Sequence, residues 1–167
     1  MSPPLSRDFS DLLALDPFDL TFVVSGVLFN LMVIGVYIAQ KRERLKLVRI
    51  FGSVVICLGI PLSAVFVNYL LQGRALWIIM YMGLILAYLV VELFLDFILK
   101  IEFRKRPILH VPYILLFYGA SLGFIGISFS IDRTWGYIVS VTFWAVLASL
   151  IYLYWGKKKE VRQKAEP

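Results

Sequence analysis

Residues 77–106 read WIIMYMGLILAYLVVELFLDFILKIEFRKR, an apolar run that ends in a cluster of positive charge. About 20 apolar residues cross the roughly 30 Å of hydrocarbon in a bilayer. The 23 residues from 77 to 99 exceed that length, so the run predicts a slightly tilted transmembrane helix. Two carboxylates, Glu92 and Asp96, lie inside it. Because they are four residues apart, they share one face of the helix.

The rest of the chain repeats this apolar character in four further runs. Of its 167 residues, 60% are hydrophobic and 17% are charged, whereas a soluble domain is about half apolar and one quarter charged. The further spans are predicted at residues 18–39, 48–71, 108–131 and 134–155. Short loops make consecutive helices antiparallel neighbours. We therefore predict an all-α, polytopic integral membrane protein, an up-down bundle of five transmembrane helices.

The basic residues orient this predicted bundle. Residues 41–49 hold five Lys or Arg, residues 100–106 hold four, and residues 157–164 hold five. All three segments lie at the same end of an up-down bundle, and Lys and Arg concentrate on the cytoplasmic side of membrane proteins. The pattern predicts an extracytoplasmic N-terminal tail (1–17), a transmembrane domain (18–156) and a basic cytosolic tail (157–167), in the cytoplasmic membrane.

The net charge of +6 does not indicate nucleic-acid binding here, because the positive charge is gathered beside the spans. Basic residues at that position attract anionic lipid headgroups at roughly 1 kcal/mol each, and a phosphate-bearing substrate could use the arginines similarly. The bilayer with its anionic lipids is therefore the expected partner. The predicted headgroup contacts are Lys41, Arg42, Arg44, Arg104, Lys105, Arg106, Lys157, Lys158 and Lys159.

Several chemistries are excluded by composition. The chain has one cysteine and one histidine, so intrachain disulfides, thiolate metal sites and a haem held by two histidines of one chain are all excluded. The sequence contains no P-loop, GxGxxG, GxSxG or HExxH pattern. Neither a cofactor nor a metal is predicted.

Glu92 is the most informative single residue. The centre of its helix falls near Ala87, so five residues at 1.5 Å each put Glu92 about 7 Å from the midplane, on the cytosolic side. An ionisable group at that depth is costly and is a functional candidate by default. Glu92 and Asp96 are the candidate proton- or cation-binding residues. For Glu92 the alternative is a hydrogen bond that only fixes packing; for Asp96 it is an interfacial ion pair with Lys100.

Other polar side chains fall at similar depths, and a cytosol-facing pocket is predicted around the carboxylates. Tyr88 lies on the predicted helix that carries Glu92. Asn30 lies near the middle of the first span, and its alternative role is a hydrogen bond to another helix. The pocket-lining candidates are His110, Tyr113, Tyr88, Arg49 and Asn30.

Small residues mark one side of the fourth span. Gly119 and Gly123 form a GxxxG spacing, which Gly126 extends. Such faces allow helix backbones to approach closely, so these glycines predict helix packing, either within the chain or between copies.

Three functions agree with this pattern. The favoured one is a small transporter or channel-like protein that uses Glu92, acting as an oligomer. The second is a non-catalytic scaffold or partner subunit in which the polar groups specify packing. The third is an enzyme that modifies lipid headgroups, with Glu92 or His110 as acid and base.

Overall fold

The computed structural model describes residues 15–98 and 107–163, and side chains over 15–95 and 111–155. Within these ranges the regular structure is entirely helical. A π-helical turn, Leu93–Ile98, directly follows the fourth α-helix. The α-helices are α1 (Pro17–Lys41), α2 (Leu45–Cys57), α3 (Gly59–Leu71), α4 (Leu76–Glu92), α5 (Pro107–Ile131) and α6 (Arg133–Gln163).

Five helical stretches are long and apolar enough to cross a membrane, which confirms the predicted all-helical class and the number of spans among the described residues. This is the architecture of a multi-pass membrane protein. The stretches are Pro17–Lys41, Leu45–Leu71, Leu76–Leu95, Val111–Ile131 and Arg133–Trp155.

Local sequence explains where the first span begins and where the second one breaks. Asp16 caps α1 by accepting a hydrogen bond from the Phe18 backbone N–H at 3.0 Å, and Pro17 occupies the first helical position, which its fixed φ angle favours. The second span is interrupted at Leu58, between α2 and α3. Pro61 accounts for this break, because its ring lacks an N–H and clashes with the carbonyl four residues earlier.

Two helix ends differ from the predicted boundaries. The last helix continues to Gln163, through lysines assigned from the sequence to a cytosolic tail. The α-helical part of the third span ends at Glu92, where the π-helical turn begins. Residues 1–14, most of the predicted N-terminal tail, lie outside the described part.

The helices form a ring in chain order, closed by contact between the first and last. The first span, α1, packs against α2, α3, α5 and α6, while α5 packs against both α4 and α6. Asn30 of α1 donates hydrogen bonds to the Val139 carbonyl oxygen at 3.3 Å and the Thr142 hydroxyl at 2.9 Å, both on α6. These hydrogen bonds stabilise the contact between α1 and α6, which closes the ring.

An aromatic core fills the centre of the ring. The Phe29 ring of α1 lies 5.7 Å from that of Tyr88, 6.1 Å from Phe117 and 5.2 Å from Phe124, measured between centroids. Offset and edge-to-face pairs at these separations are favourable. The first span therefore packs its aromatic face against the third and fourth.

The glycines of α5 lie against α4 of the same chain. A Cβ atom at Gly119 would approach Leu84 Cδ2 to 2.7 Å, and one at Gly123 would approach Tyr81 Cδ1 to 3.1 Å. At Gly126 the nearest neighbour would be Trp77, at 4.0 Å. As the residue number increases along α5, the number of the contacting residue on α4 decreases, so the two helices are antiparallel. This small-residue face is used inside the chain.

Much of the outer surface is apolar. Ile60 is 78% exposed, and Leu71, Leu115 and Trp144 are also largely exposed. An apolar surface of this kind suits lipid rather than water, because acyl chains are as apolar as these side chains.

Candidate functional site

A cavity of about 250 Å³ lies between the spans. All five contribute to its wall, through residues 33–40 of α1, 52–55 of α2, 88–92 of α4, 113–118 of α5 and 150–154 of α6. These segments lie in the half of the bundle nearest Lys41, Arg42, Arg44 and Lys46, which we call the basic end. The cavity therefore occupies that half of the bundle.

Glu92 lines this cavity at the end of α4 and is 9% exposed. Its Oε2 accepts a hydrogen bond from the Tyr113 hydroxyl at 2.5 Å, and the Tyr113 hydroxyl lies 3.3 Å from that of Tyr88. A phenol carries one hydrogen. Since Tyr113 donates to the carboxylate, Tyr88 is the donor to Tyr113. The two hydroxyls form a chain directed at Glu92, which joins α4 to α5.

The backbone changes its winding directly after this carboxylate. Residues Leu93–Ile98 form a π-helical turn, a geometry that is rare and frequently found at functional sites. Asp96 lies within that turn and His110 within the first turn of α5, but their side chains lie outside the described part.

Two of the predicted pocket residues do not line the cavity. Asn30 is buried, and its amide binds α6 through Val139 and Thr142, which is the interhelical role considered from the sequence. Arg49 is exposed on α2, where its carbonyl accepts a hydrogen bond from Ser53. Tyr88 and Tyr113 do line the cavity, next to Glu92.

Sequence reasoning missed part of the cavity wall. Tyr118 of α5 and Tyr154 of α6 line it and were not among the predicted residues. Tyr118 follows Tyr113 by five residues, so it lies about 7.5 Å further along α5 and about 140° around its axis. The available signal was the recurrence of tyrosines in the basic half of several spans.

The described basic residues have different surroundings. Lys41 donates a hydrogen bond to the Tyr152 carbonyl at 2.7 Å, and its ammonium lies 3.2 Å from the centroid of the Tyr152 ring. Arg42 and Arg44 are exposed. Arg104, Lys105 and Arg106 lie outside the described residues, as do the side chains of Lys157, Lys158 and Lys159.

A second polar cluster lies at the opposite end of the bundle and was not predicted. Both carboxylate oxygens of Asp19 on α1 accept hydrogen bonds from Arg74, at 3.0 and 3.1 Å. The Tyr69 hydroxyl of α3 donates to the same carboxylate at 2.6 Å. The opposite charges of Asp19 and Arg74, at the same end of consecutive antiparallel spans, were the signal that could have revealed it. The cluster fastens the first span to the loop after the second.

In comparisons with protein-family models, curated proteins and solved structures, nothing matched this chain. The fold and the site define a multi-pass helical membrane protein with a buried carboxylate at an internal cavity.

Proposed function

We propose that this chain is a small transporter or channel-like protein of the cytoplasmic membrane, in which Glu92 binds a proton or a cation. One observation carries the proposal: a carboxylate is buried inside an apolar bundle, at a cavity that all five spans line. Ionisable groups inside membrane spans are expensive, face cavities or the bundle interior, and mark ion pathways and proton relays.

The proposed orientation follows from charge. The basic end faces the cytosol, the N-terminus is outside and the C-terminus is inside, because Lys and Arg are retained on the cytoplasmic side. The cavity then lies in the cytosolic half of the bundle. One five-helix chain has few surfaces with which to enclose a complete pathway, so the proposed functional unit is a homo-oligomer.

The hydrogen bond between Tyr113 and Glu92 also supports a second candidate function. It joins α4 to α5, and a carboxylate engaged in this way can serve packing alone. In that case the protein is a non-catalytic scaffold or partner subunit in the membrane. The two candidates differ in whether the chain conducts ions.

Proton flux through purified protein in liposomes separates them. A pH-sensitive dye inside the vesicles reports flux after a proton gradient is imposed. We expect Glu92→Gln to reduce the flux to the level of empty liposomes, because an amide neither carries negative charge nor takes up a proton. Glu43→Gln is the matched control, since Glu43 is exposed in the loop between α1 and α2 and should conduct like the unmodified chain.

Two results would contradict the transport proposal. One is flux of protons and of cations through the unmodified chain that is no greater than through empty liposomes, which the scaffold function predicts. The other is unchanged flux in a Glu92→Gln protein that elutes as a folded, monodisperse species.

A further inference from the structure

Five tyrosines surround the cavity that Glu92 lines. They are spread over four helices: Tyr37 on α1, Tyr88 on α4, Tyr113 and Tyr118 on α5, and Tyr154 on α6. No described residue of the wall is a lysine or an arginine. Over its described wall, the cavity thus combines aromatic rings with one carboxylate, that of Glu92. Because the negative face of an aromatic ring attracts cations, this is the combination that recognises organic ammonium ions.

We infer that the cavity binds a small organic cation, an amine or a quaternary ammonium ion, with Glu92 as counter-ion and the tyrosine rings as its walls. This inference rests on the proposed function, in which Glu92 binds the transported species, and it names the chemical class of that species.

The arrangement of the rings supports an aromatic wall. The ring of Tyr88 lies 5.8 Å from that of Tyr113, with 45° between their planes, and 5.6 Å from Phe117, with 61° between planes. Phe117 in turn lies 5.5 Å from Tyr118, at 69°. Since neighbouring rings are inclined rather than parallel, they present faces and edges in different directions, as a curved wall requires.

Burial of the tyrosines is graded. Tyr88 is buried, Tyr37, Tyr113 and Tyr118 are half-buried, and Tyr154 is exposed. Aromatic attraction to a cation is several times stronger where water is excluded than at an exposed site. The rings next to Glu92 therefore contribute most to binding, and Tyr154 lies at the edge of the site.

The cavity size limits the ligand. A cavity of about 150 Å³ holds one benzene molecule, so the 250 Å³ here accommodates an ion with roughly ten non-hydrogen atoms. Tetraethylammonium is of that size, whereas tetrabutylammonium is too large.

The wall suits an organic cation better than a divalent metal ion. Ca²⁺ takes six to eight oxygen ligands, several of them carboxylates or carbonyls. Among the described residues, no group of three or more His, Cys, Asp or Glu side chains is placed to hold a metal. A quaternary ammonium ion binds without coordinating ligand atoms. Contact with aromatic ring faces and one nearby negative charge are enough to bind it.

Calorimetric titration of tetraethylammonium into the full-length protein in lipid nanodiscs tests the inference. We expect saturable binding, much weaker binding of tetrabutylammonium, and none of a neutral alcohol of similar shape. Tyr118→Leu should weaken binding about tenfold, because it removes a ring face, whereas Tyr118→Phe keeps the face and should bind nearly as the unmodified chain does. Tyr137→Leu is the control, since Tyr137 is exposed outside the cavity.

Flux measured in parallel distinguishes failure of this inference from failure of the proposed function. Proton flux that depends on Glu92, without tetraethylammonium binding, would overturn the ligand class and leave transport standing. Binding that Tyr118→Leu weakens, without flux of either ion, would support the ligand class and overturn transport. Equal affinity of the Leu and Phe variants at position 118 would also overturn the inference, because the ring would then contribute nothing.

Discussion

At Glu92, a group that water normally hydrates lies between helices that are otherwise apolar. Protein groups replace part of the water that would otherwise hydrate this carboxylate. Among them are the linked hydroxyls of Tyr88 and Tyr113. A hydrogen bond to a charged group contributes more to stability than one between neutral groups. Removal of the donor therefore leaves a buried acceptor whose lost hydration is no longer offset. The carboxylate and the two tyrosines therefore act as one unit.

Tyr113→Phe should disturb that unit without enlarging the cavity. The variant keeps the ring and loses the donor to Glu92, so we expect a loss of about 1–3 kcal/mol in the free energy of unfolding together with altered proton flux. Unfolding of the purified protein by SDS in mixed micelles measures the first quantity. Tyr137→Phe, on the outer surface, should behave as the unmodified chain; equal stability of the two variants would contradict the assigned role.

The ion pair between Asp19 and Arg74 is a second residue-scale feature with a measurable contribution. The side chain of Arg74 is 30% exposed and that of Asp19 is 12% exposed. Arg74→Ala leaves the carboxylate largely buried with only Tyr69 as a described donor, so we expect destabilisation of about 1–3 kcal/mol, below the value for a fully buried pair.

A double-mutant cycle isolates the interaction. The Asp19→Ala/Arg74→Ala protein should be more stable than the sum of the single losses predicts, because the second substitution removes a charge that the first left unpaired. Arg42→Ala, in an exposed loop, is the control for loss of one positive charge. Additive losses would show that the pair contributes nothing to stability.

At the scale of the helices, small residues decide how closely α4 and α5 approach. Transmembrane helices gain little from burying apolar surface, because lipid is equally apolar, and close packing supplies the contact energy instead. The neighbours of Gly123 lie within 3.4 Å of where a Cβ would stand, whereas Gly83 has nothing within 4 Å. These two glycines form a matched pair.

Substitution of each glycine by leucine should therefore have opposite consequences. Gly123→Leu forces α5 away from Tyr81 and Ile85, and overpacking of this kind costs about 1–3 kcal/mol. Gly83→Leu enters open space and improves helix propensity, so it should be neutral or stabilising by up to about 1 kcal/mol. SDS unfolding compares the two. If Gly123→Leu were tolerated as well as Gly83→Leu, the α4–α5 contact would be looser than the structure indicates.

At the scale of the whole molecule, the number of spans decides the relation between the chain ends. A chain that crosses the membrane five times has its two termini on opposite faces, and that is the topology we propose here. The cytosolic C-terminus that we propose from the placement of the basic segments decides on which side of the midplane Glu92 lies.

Cysteine labelling tests this orientation. In a Cys57→Ser background, Ser6→Cys should react with a membrane-impermeant maleimide in intact cells, and Ala165→Cys should react only after the membrane is opened. Labelling of both positions from outside would exclude an odd number of crossings. Labelling of residue 165 alone in intact cells would show the opposite orientation, with the cavity in the outer half of the membrane.

Sequence reasoning identified the five spans because each is a run of apolar residues of membrane-crossing length. It did not determine which way the helices face. Asn30 was considered for the pocket, yet it binds α6, and the Asp19–Arg74 pair was not foreseen. The physical reason is that helices surrounded by lipid are apolar on every side, so the sequence carries no amphipathic signal for the interior face. Contacts between faces appear only in the assembled bundle.

The contact between α1 and α6 has a consequence for assembly during synthesis. The first span, which carries Asn30, is synthesised early. Its hydrogen-bond partners, the Val139 carbonyl and the Thr142 hydroxyl, belong to the last span and are synthesised last. Until the fifth span is inserted, the Asn30 side chain faces lipid or a temporary substitute, which favours association with other polar helices. A chain that stops before Arg133 therefore lacks the Val139 and Thr142 partners of Asn30, and its polar amide is left to bind another helix.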